Sequence, residues 1–124
     1  MPVQKTILIV DDDEAVRESI SLWLEEFGWE VKGAGSVTEV LGFDKPFDAY
    51  IIDLNLEDRD GFNLTKELWN RFGKIPVILM SGYLDAEMRN EAVNHGIDAI
   101  LKKPFHLEDL NRILASALKK KHKK

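Results

Sequence analysis

Short apolar runs rich in β-branched residues alternate with longer segments of helical period over the length of the chain. Each run is bounded by charged or turn-forming residues and is too short for a buried helix, so the runs predict β-strands. The five predicted strands are residues 6–10, 30–34, 48–53, 76–81 and 98–102. Strict alternation of such strands with helices is typical of a parallel sheet covered by helices on both faces. The sequence therefore predicts an α/β fold, a doubly wound (βα)5 unit.

The segments between these runs carry start and stop signals for helices. Apolar residues at helical spacing precede Gly28, Gly73 and Gly96, and a glycine after such a stripe is a common helix stop. Ser36 and Glu39 have the spacing of a capping box, which predicts the start of a short second helix. Right-handed crossovers leave few arrangements for five such units, and we expect the flavodoxin-like strand order 2-1-3-4-5.

Length and composition indicate one domain. The chain has 124 residues, and 44% of them are hydrophobic, which is enough for a single core. We expect the domain to cover residues 1–118 and to be followed by a basic tail or linker at 119–124. The start of the chain lacks a secretory signal pattern, and no apolar segment approaches the ~18 residues of a membrane span. Together with the absence of cysteine, these features predict a soluble, cytoplasmic protein.

The charge of the chain is unevenly distributed. Its net charge is −5 at pH 7, yet five of its 17 basic residues lie in the final KKKHKK, so the preceding 118 residues carry 12 basic against 22 acidic side chains. A body this acidic repels nucleic-acid phosphates, and the short tail has no interleaved aromatic residues. We expect no direct nucleic-acid binding by this domain.

Charged and polar residues follow the predicted strands where ligands bind in such sheets, outside the carboxyl ends of the strands. Residues 11–13 are DDD after the first strand, Asp53 ends the third, and Ser81 ends the fourth. Lys102 ends the fifth strand, and Lys103 follows it. Carboxylates held close together repel one another, and a hard divalent cation such as Mg2+ relieves that repulsion. A magnesium ion held in this way commonly acts on phosphate. Asp53 is then either a third metal ligand or a nucleophile that accepts a phosphoryl group.

Four segments resemble the signature segments of the response-regulator receiver domain of two-component signalling. They are ILIVDDDE, IIDLNLEDRDGF, VILMSGY and ILKKPF, and they occur in the same order and with matching spacings from residue 5 to about 118. The resemblance implies that Asp11 and Asp12 bind Mg2+, that Asp53 is the phosphoacceptor and a metal ligand, and that the backbone carbonyl of Asn55 completes the metal site. Asp13 lies one residue beyond the acidic pair, and we expect it to cap the first helix.

The resemblance also assigns roles at the ends of the fourth and fifth strands. Ser81 matches the hydroxyl residue that bonds the phosphoryl group, and Lys103 matches the lysine that pairs with it. The Lys103–Pro104 bond is expected to be cis on the same ground. Adjacent strand residues point to opposite sides, so only one of Lys102 and Lys103 readily reaches the site. Tyr83, two residues after Ser81, is either a surface residue or a group that affects access to the phosphoryl group.

The function implied by the resemblance is that of a signalling switch. A sensor histidine kinase, a phosphotransfer protein or a small donor such as acetyl phosphate would phosphorylate Asp53 with the help of Mg2+. The change in conformation would control an output partner or an effector domain outside this chain, with a possible homodimer through the fourth helix, fifth strand and fifth helix. Such a domain is not an enzyme beyond catalysing its own phosphorylation and dephosphorylation.

Two positions depart from the family pattern, and three other functions are compatible with parts of the sequence. Glu57 lies where proline is frequent, and Ile100 lies where many members carry an aromatic residue. The alternative function is a Mg-dependent phosphatase that acts through an aspartyl phosphate. Phosphatases of the haloacid-dehalogenase type prefer D-x-D at one strand end, whereas Asp53 is followed by Leu54 and Asn55. A calcium-binding EF-hand is excluded by its spacing, and an FMN phosphate would be repelled by DDDE.

Overall fold

The computed structural model describes residues 5–56 and 60–119 as one parallel sheet with helices on both faces. The strand order is β2-β1-β3-β4-β5, which confirms the predicted (βα)5 fold and its topology. The elements in chain order are β1 (Thr6–Val10), α1 (Glu14–Glu26), β2 (Glu30–Ala34), α2 (Val37–Leu41), β3 (Ala49–Asp53), α3 (Gly61–Phe72), β4 (Val77–Ser81), α4 (Ala86–His95), β5 (Ala99–Lys102) and α5 (Leu107–Lys119).

Three of the predicted strands begin one residue later than expected, at β3, β4 and β5. Asp48 was predicted inside β3, but its carboxylate accepts the backbone N–H of Thr6 at 2.8 Å. Asp98 was predicted inside β5, and its carboxylate accepts the N–H of Val77 at 2.9 Å. Each aspartate therefore bonds the first residue of a neighbouring strand and does not extend its own strand.

The central strands are buried on both faces, which explains why they are apolar throughout. All five residues of β3 and of β4 are buried, as are the last four of β1. Alternate residues point to opposite faces and form two core clusters. One cluster packs against α2, α3 and α4, and the other against α1 and α5. Ile100, one of the two departures from the family pattern, is half-buried against the first of these clusters.

Both helix starts that the sequence predicts from a capping residue begin at that residue. Asp13 caps α1 as predicted, because its carboxylate accepts the N–H groups of Ala15 and Val16. Ser36 caps α2 and accepts the N–H of Glu39 at 3.2 Å. The second bond of a capping box would run from the Ser36 N–H to the Glu39 carboxylate, but that carboxylate bonds Gly35 N–H. The capping-box prediction was therefore half right.

The segment that follows β5 has the expected backbone form, since the Lys103–Pro104 peptide bond is cis. Helix α5 continues to Lys119, one residue into the predicted tail, and residues 120–124 lie outside the described residues. Glu57 lies outside them as well. In the described part of the chain, no helix is long and apolar enough to cross a membrane.

Candidate functional site

The strand register brings the ends of β1, β3, β4 and β5 to one edge of the sheet. Val10 pairs with Ile52, and Asp53 pairs with Met80. Ser81 pairs with Lys102. The carboxyl ends of all these strands therefore meet at the same edge, where ligands bind in folds of this type. We call this the carboxyl edge.

Three carboxylates form the centre of the carboxyl edge. One oxygen each from Asp11, Asp12 and Asp53 lies within 4.8 Å of the others, and no other group of three potential metal ligands occurs among residues 5–56 and 60–119. Asp11 is 1% exposed and Asp53 is 7% exposed, whereas Asp12 lies at the surface. The cluster thus has two buried carboxylates and one that faces solvent.

Lys103 joins the two buried carboxylates. Its Nζ donates to Asp11 Oδ2 at 3.0 Å and to Asp53 Oδ2 at 3.1 Å. Burial acts to lower the pKa of the Lys103 ammonium, but the hydrogen bonds and charges of Asp11 and Asp53 outweigh burial, so this pKa lies above its ordinary value. Lys102 is exposed, so Lys103 is the one of the two lysines that reaches the site, as the resemblance implied.

The electrostatic balance at Asp53 is different. Burial raises the pKa of this carboxyl, and the nearby charge of Asp11 adds to the increase. The N–H of Asn55, 3.1 Å from Asp53 Oδ1, and the ammonium of Lys103 lower that pKa without cancelling the effect of burial. Ionising Asp53 in the folded protein therefore costs free energy, and a further positive charge at the carboxyl edge would reduce that cost.

Asp11 is fixed by hydrogen bonds to its backbone and to its side chain. Its N–H donates to the carbonyl of Ala34 at 3.1 Å, and its own carbonyl accepts from Arg17 Nη1 at 2.8 Å. Its carboxylate accepts the N–H of Asp13 at 2.9 Å through one oxygen and the ammonium of Lys103 through the other. This residue is consequently a fixed part of the site, since each of its polar groups is bonded.

Arg17 is a part of the site that the sequence predictions missed. It lies near the start of α1, where a positive charge opposes the helix dipole, and this unfavourable placement is the signal that could have identified it. Its side chain lies across the end of β2 at Gly33 and Gly35. A Cβ atom at either glycine would come within 3.0 to 3.1 Å of the arginine side chain. The two glycines therefore make room for the guanidinium.

The structure places Ser81 and Asn55 at the edge but does not bond their side chains to the carboxylates. Ser81 is fully buried, and its hydroxyl donates to the carbonyl of Tyr83 and accepts the N–H of Tyr83 at 3.2 Å. Asn55 is exposed, and its contact with the cluster is the backbone bond to Asp53. Ser81 is thus engaged within the loop that follows β4.

The donor set of the carboxyl edge fits a hard divalent cation. It consists of carboxylate oxygens without histidine or cysteine, and such all-oxygen sets suit Mg2+ or Ca2+ better than zinc or copper. The exposed carboxylate of Asp12 has no hydrogen-bond partner among the described residues, so it is available to a ligand. The residues present can therefore hold a metal ion.

Comparison with known sequences gives a consistent match. The family described as the response regulator receiver domain matches residues 7–115. The regulatory protein AtoC of Escherichia coli (strain K12) is 34% identical over 114 residues, which are 90% of this chain and 25% of AtoC. The chain spans between 25% and 51% of the length of the curated relatives that it matches.

Comparison with solved structures extends the match to the fold. A CheY-like response regulator receiver domain protein from Methanospirillum hungatei JF-1 superposes with a TM-score of 0.87 and 31% identity, covering 94% of this chain and 95% of that protein. A response regulator from Burkholderia pseudomallei, solved with a phosphorylated aspartic acid, a calcium ion and citrate, gives a TM-score of 0.81 and 25% identity. That match covers 94% of this chain and 69% of the Burkholderia protein.

Proposed function

Because the chain belongs to the family of response regulator receiver domains, we propose that it is a phosphoacceptor switch in which Asp53 accepts a phosphoryl group. The observation that carries the proposal is the Lys103 ammonium, which bonds both Asp53 and Asp11, the two carboxylates that cluster with the exposed carboxylate of Asp12. A nearly buried carboxylate beside a fixed ammonium is suited to act as a nucleophile on phosphorus. The Burkholderia relative, solved with a phosphorylated aspartic acid, supports the same chemistry.

The transfer step follows from the chemistry of a carboxylate. One oxygen of ionised Asp53 forms a bond to phosphorus, while the bond from phosphorus to the donor breaks. With a phosphohistidine donor, the broken bond is P–N and its electron pair returns to the imidazole. The donor is a sensor histidine kinase or a phosphotransfer protein, and acetyl phosphate can replace it. These donors imply a cytoplasmic location. Lys103 favours the ionised form of Asp53 and attracts the phosphoryl oxygens.

Mg2+ is the cofactor that we assign to the carboxyl edge. The residues that would hold it are Asp11, Asp12 and Asp53, together with the backbone carbonyl of Asn55. When bound, the ion neutralises charge on the phosphoryl oxygens. The raised pKa of Asp53 supports this assignment, because burial disfavours its ionised form without a cation.

The switch that we propose involves the loop after β4. A phosphoryl group on Asp53 would attract the hydroxyl of Ser81, which now bonds both backbone groups of Tyr83. Forming the new bond requires the hydroxyl to turn away from Tyr83, so the start of α4 would lose a local constraint. Phosphorylation would thereby shift the loop between two arrangements.

The output surface that we propose for the switch is formed by α4, β5 and α5. A change at the start of α4 would alter the surface of α4, β5 and α5, where Val93 is 74% exposed. An output partner, an effector domain or a second copy of the chain would respond to that surface. We propose no enzymatic activity beyond phosphorylation and dephosphorylation of Asp53 itself.

Incubation with acetyl phosphate and Mg2+, followed by intact-mass spectrometry, tests the proposal. We expect a gain of one phosphoryl group that is stable in acid and labile in base. The gain should disappear in Asp53→Ala and when Mg2+ is chelated, but it should persist in Asp44→Asn, which changes an exposed aspartate outside the cluster. Equal labelling of wild type and Asp53→Ala would refute the proposal.

A further inference from the structure

Arg17 makes a contact with the cluster that the proposed function does not use. Its Nη1 donates to the backbone carbonyl of Asp11 at 2.8 Å, although Arg17 belongs to α1 and lies six residues further along the chain. We propose that Arg17 is a positioning residue for the metal site: it fixes the Asp11–Asp12 peptide and, through that peptide, the Asp12 carboxylate. The inference rests on the proposed Mg2+ site.

The bond acts on the peptide unit that links the two metal-site aspartates. A trans peptide is planar, so its C=O and N–H groups point in opposite directions and turn together. Arg17 holds the carbonyl of this unit, and the N–H of Asp11 is held by Ala34 on the other side of the residue. The direction in which the chain enters Asp12 is therefore set from outside the cluster.

Asp12 is the member of the cluster that most depends on such support. Asp11 is fixed by Asp13 and Lys103, and Asp53 is fixed by Asn55 and Lys103. The carboxylate of Asp12 is exposed and has no hydrogen-bond partner within the described residues. Its position consequently depends on its backbone, which two side-chain contacts hold. Arg17 bonds the carbonyl that precedes Asp12, and the Asp11 carboxylate bonds the N–H of Asp13 that follows it. The Arg17 contact is the one that comes from outside the acidic run.

The space for Arg17 is provided by β2. A Cβ atom at Gly33 would lie 3.0 Å from Arg17 Cδ, and one at Gly35 would lie 3.1 Å from Nη1, the atom that donates to Asp11. Each distance is too short for a relaxed contact. Gly35→Ala would therefore crowd the donor atom while leaving the arginine and its charge in the protein. This substitution separates the position of the guanidinium from its charge.

The chain offers a matched control in Arg71. Its Nη1 donates to the carbonyl of Leu41 at 2.8 Å, so it makes the same type of bond at the same length as Arg17. The bond joins α3 to the end of α2, away from the three aspartates. Arg71→Ala removes the same charge and the same type of hydrogen bond as Arg17→Ala. A general effect of net charge or of a lost surface bond would appear in both variants.

The test is Mg2+ binding to the unphosphorylated protein, measured by isothermal titration calorimetry. We expect Arg17→Ala to weaken Mg2+ affinity about tenfold, the usual lower range for loss of a group that orients a metal ligand. Gly35→Ala should weaken it in the same direction by a smaller factor, and Arg71→Ala should bind like wild type. In acetyl phosphate labelling, Arg17→Ala should need more Mg2+ for half-maximal rate but approach the wild-type rate at saturating Mg2+.

The outcomes separate this inference from the function on which it rests. Wild-type protein that binds no Mg2+ and gains no phosphoryl group would refute the proposed function. Suppose instead that the wild-type protein binds Mg2+ and gains a phosphoryl group. Unchanged Mg2+ affinity in Arg17→Ala, or an equal loss of affinity in Arg71→Ala, would then refute the positioning role alone. Unchanged affinity in Gly35→Ala would also count against it, because crowding Nη1 should weaken the bond that holds the Asp11 carbonyl.

Discussion

Aspartates occur at both ends of the sheet, but the two ends use them differently. At the amino end, Asp48 accepts the N–H of Thr6 and its hydroxyl, and Asp98 accepts the N–H of Val77. We call this the amino edge. At the carboxyl edge, three aspartates lie within 4.8 Å of one another, and one ammonium, that of Lys103, bonds the two that are buried.

Under the proposed function, one residue type serves stability at one edge and chemistry at the other. Each aspartate at the amino edge lies close to a backbone N–H of a neighbouring strand, so its charge is stabilised by the fold itself. At the carboxyl edge the negative charges exceed the positive charge that bonds them, and the pKa of Asp53 is raised by burial. That excess of negative charge favours the binding of a cation at the carboxyl edge.

The largest effect expected from this contrast is at Lys103. Lys103→Ala removes the ammonium that bonds Asp53 and that would face the phosphoryl oxygens. We expect the rate of labelling by acetyl phosphate to fall by about 10²-fold, the usual cost of losing one charge-stabilising donor at a reacting centre. Rates from timed intact-mass spectra measure this. Lys102→Ala removes an adjacent exposed lysine and should react like wild type; comparable losses in both variants would contradict the assignment.

Substitutions at the amino edge should lower the stability of the fold and leave the labelling rate unchanged. Asp48→Ala or Asp98→Ala leaves a backbone N–H of a neighbouring strand without its carboxylate, and we expect each to lower the free energy of unfolding by about 1–3 kcal/mol. Urea denaturation followed by circular dichroism measures the loss. Labelling of the folded fraction should be unchanged at saturating Mg2+. A labelling defect as severe as that of Lys103→Ala would show that the two edges do not have separate roles.

The smallest effect concerns stability at the carboxyl edge. The folded-state pKa of Asp53 is above its ordinary value, so protonation stabilises the fold, and this contribution is lost as pH rises through that pKa. Asparagine resembles the protonated carboxyl. In metal-free buffer at neutral pH, Asp53→Asn should therefore unfold at a higher temperature than wild type, and the gain should vanish in acid. Melting curves across pH measure this, and a lower melting temperature at neutral pH would contradict the raised pKa.

The features that the sequence predicts well are those set by local pattern. The helical spacing of apolar residues, the glycine stops and the N-cap at Asp13 depend on neighbouring residues. Alternation predicts that only one of Lys102 and Lys103 reaches the site, and the family resemblance selects Lys103. The features that it predicts poorly depend on distant contacts. Asp48 was placed in a strand because its partner Thr6 is 42 residues away in the sequence. Arg17 was missed because its role depends on the space above Gly33, a residue of another element.

Ser81 shows a third situation, in which a residue lies where expected but its hydrogen bonds were not predicted. Ser81 is the last residue of β4 and therefore lies at the carboxyl edge. Both bonds of its hydroxyl go to Tyr83, two residues later. Sequence pattern gives the position of such a residue, whereas its hydrogen-bond partners depend on the conformation of the loop that follows β4.

At the carboxyl edge, Asp53 is the residue that we propose to accept a phosphoryl group from the donor. Borohydride reduces an acyl phosphate to an alcohol, so treating the labelled protein with it converts a phosphorylated aspartate into homoserine, which peptide mass spectrometry can locate. We predict homoserine at position 53 alone, and only after incubation with acetyl phosphate and Mg2+. Homoserine at position 11, 12 or 13, or its absence from labelled protein, would contradict the account.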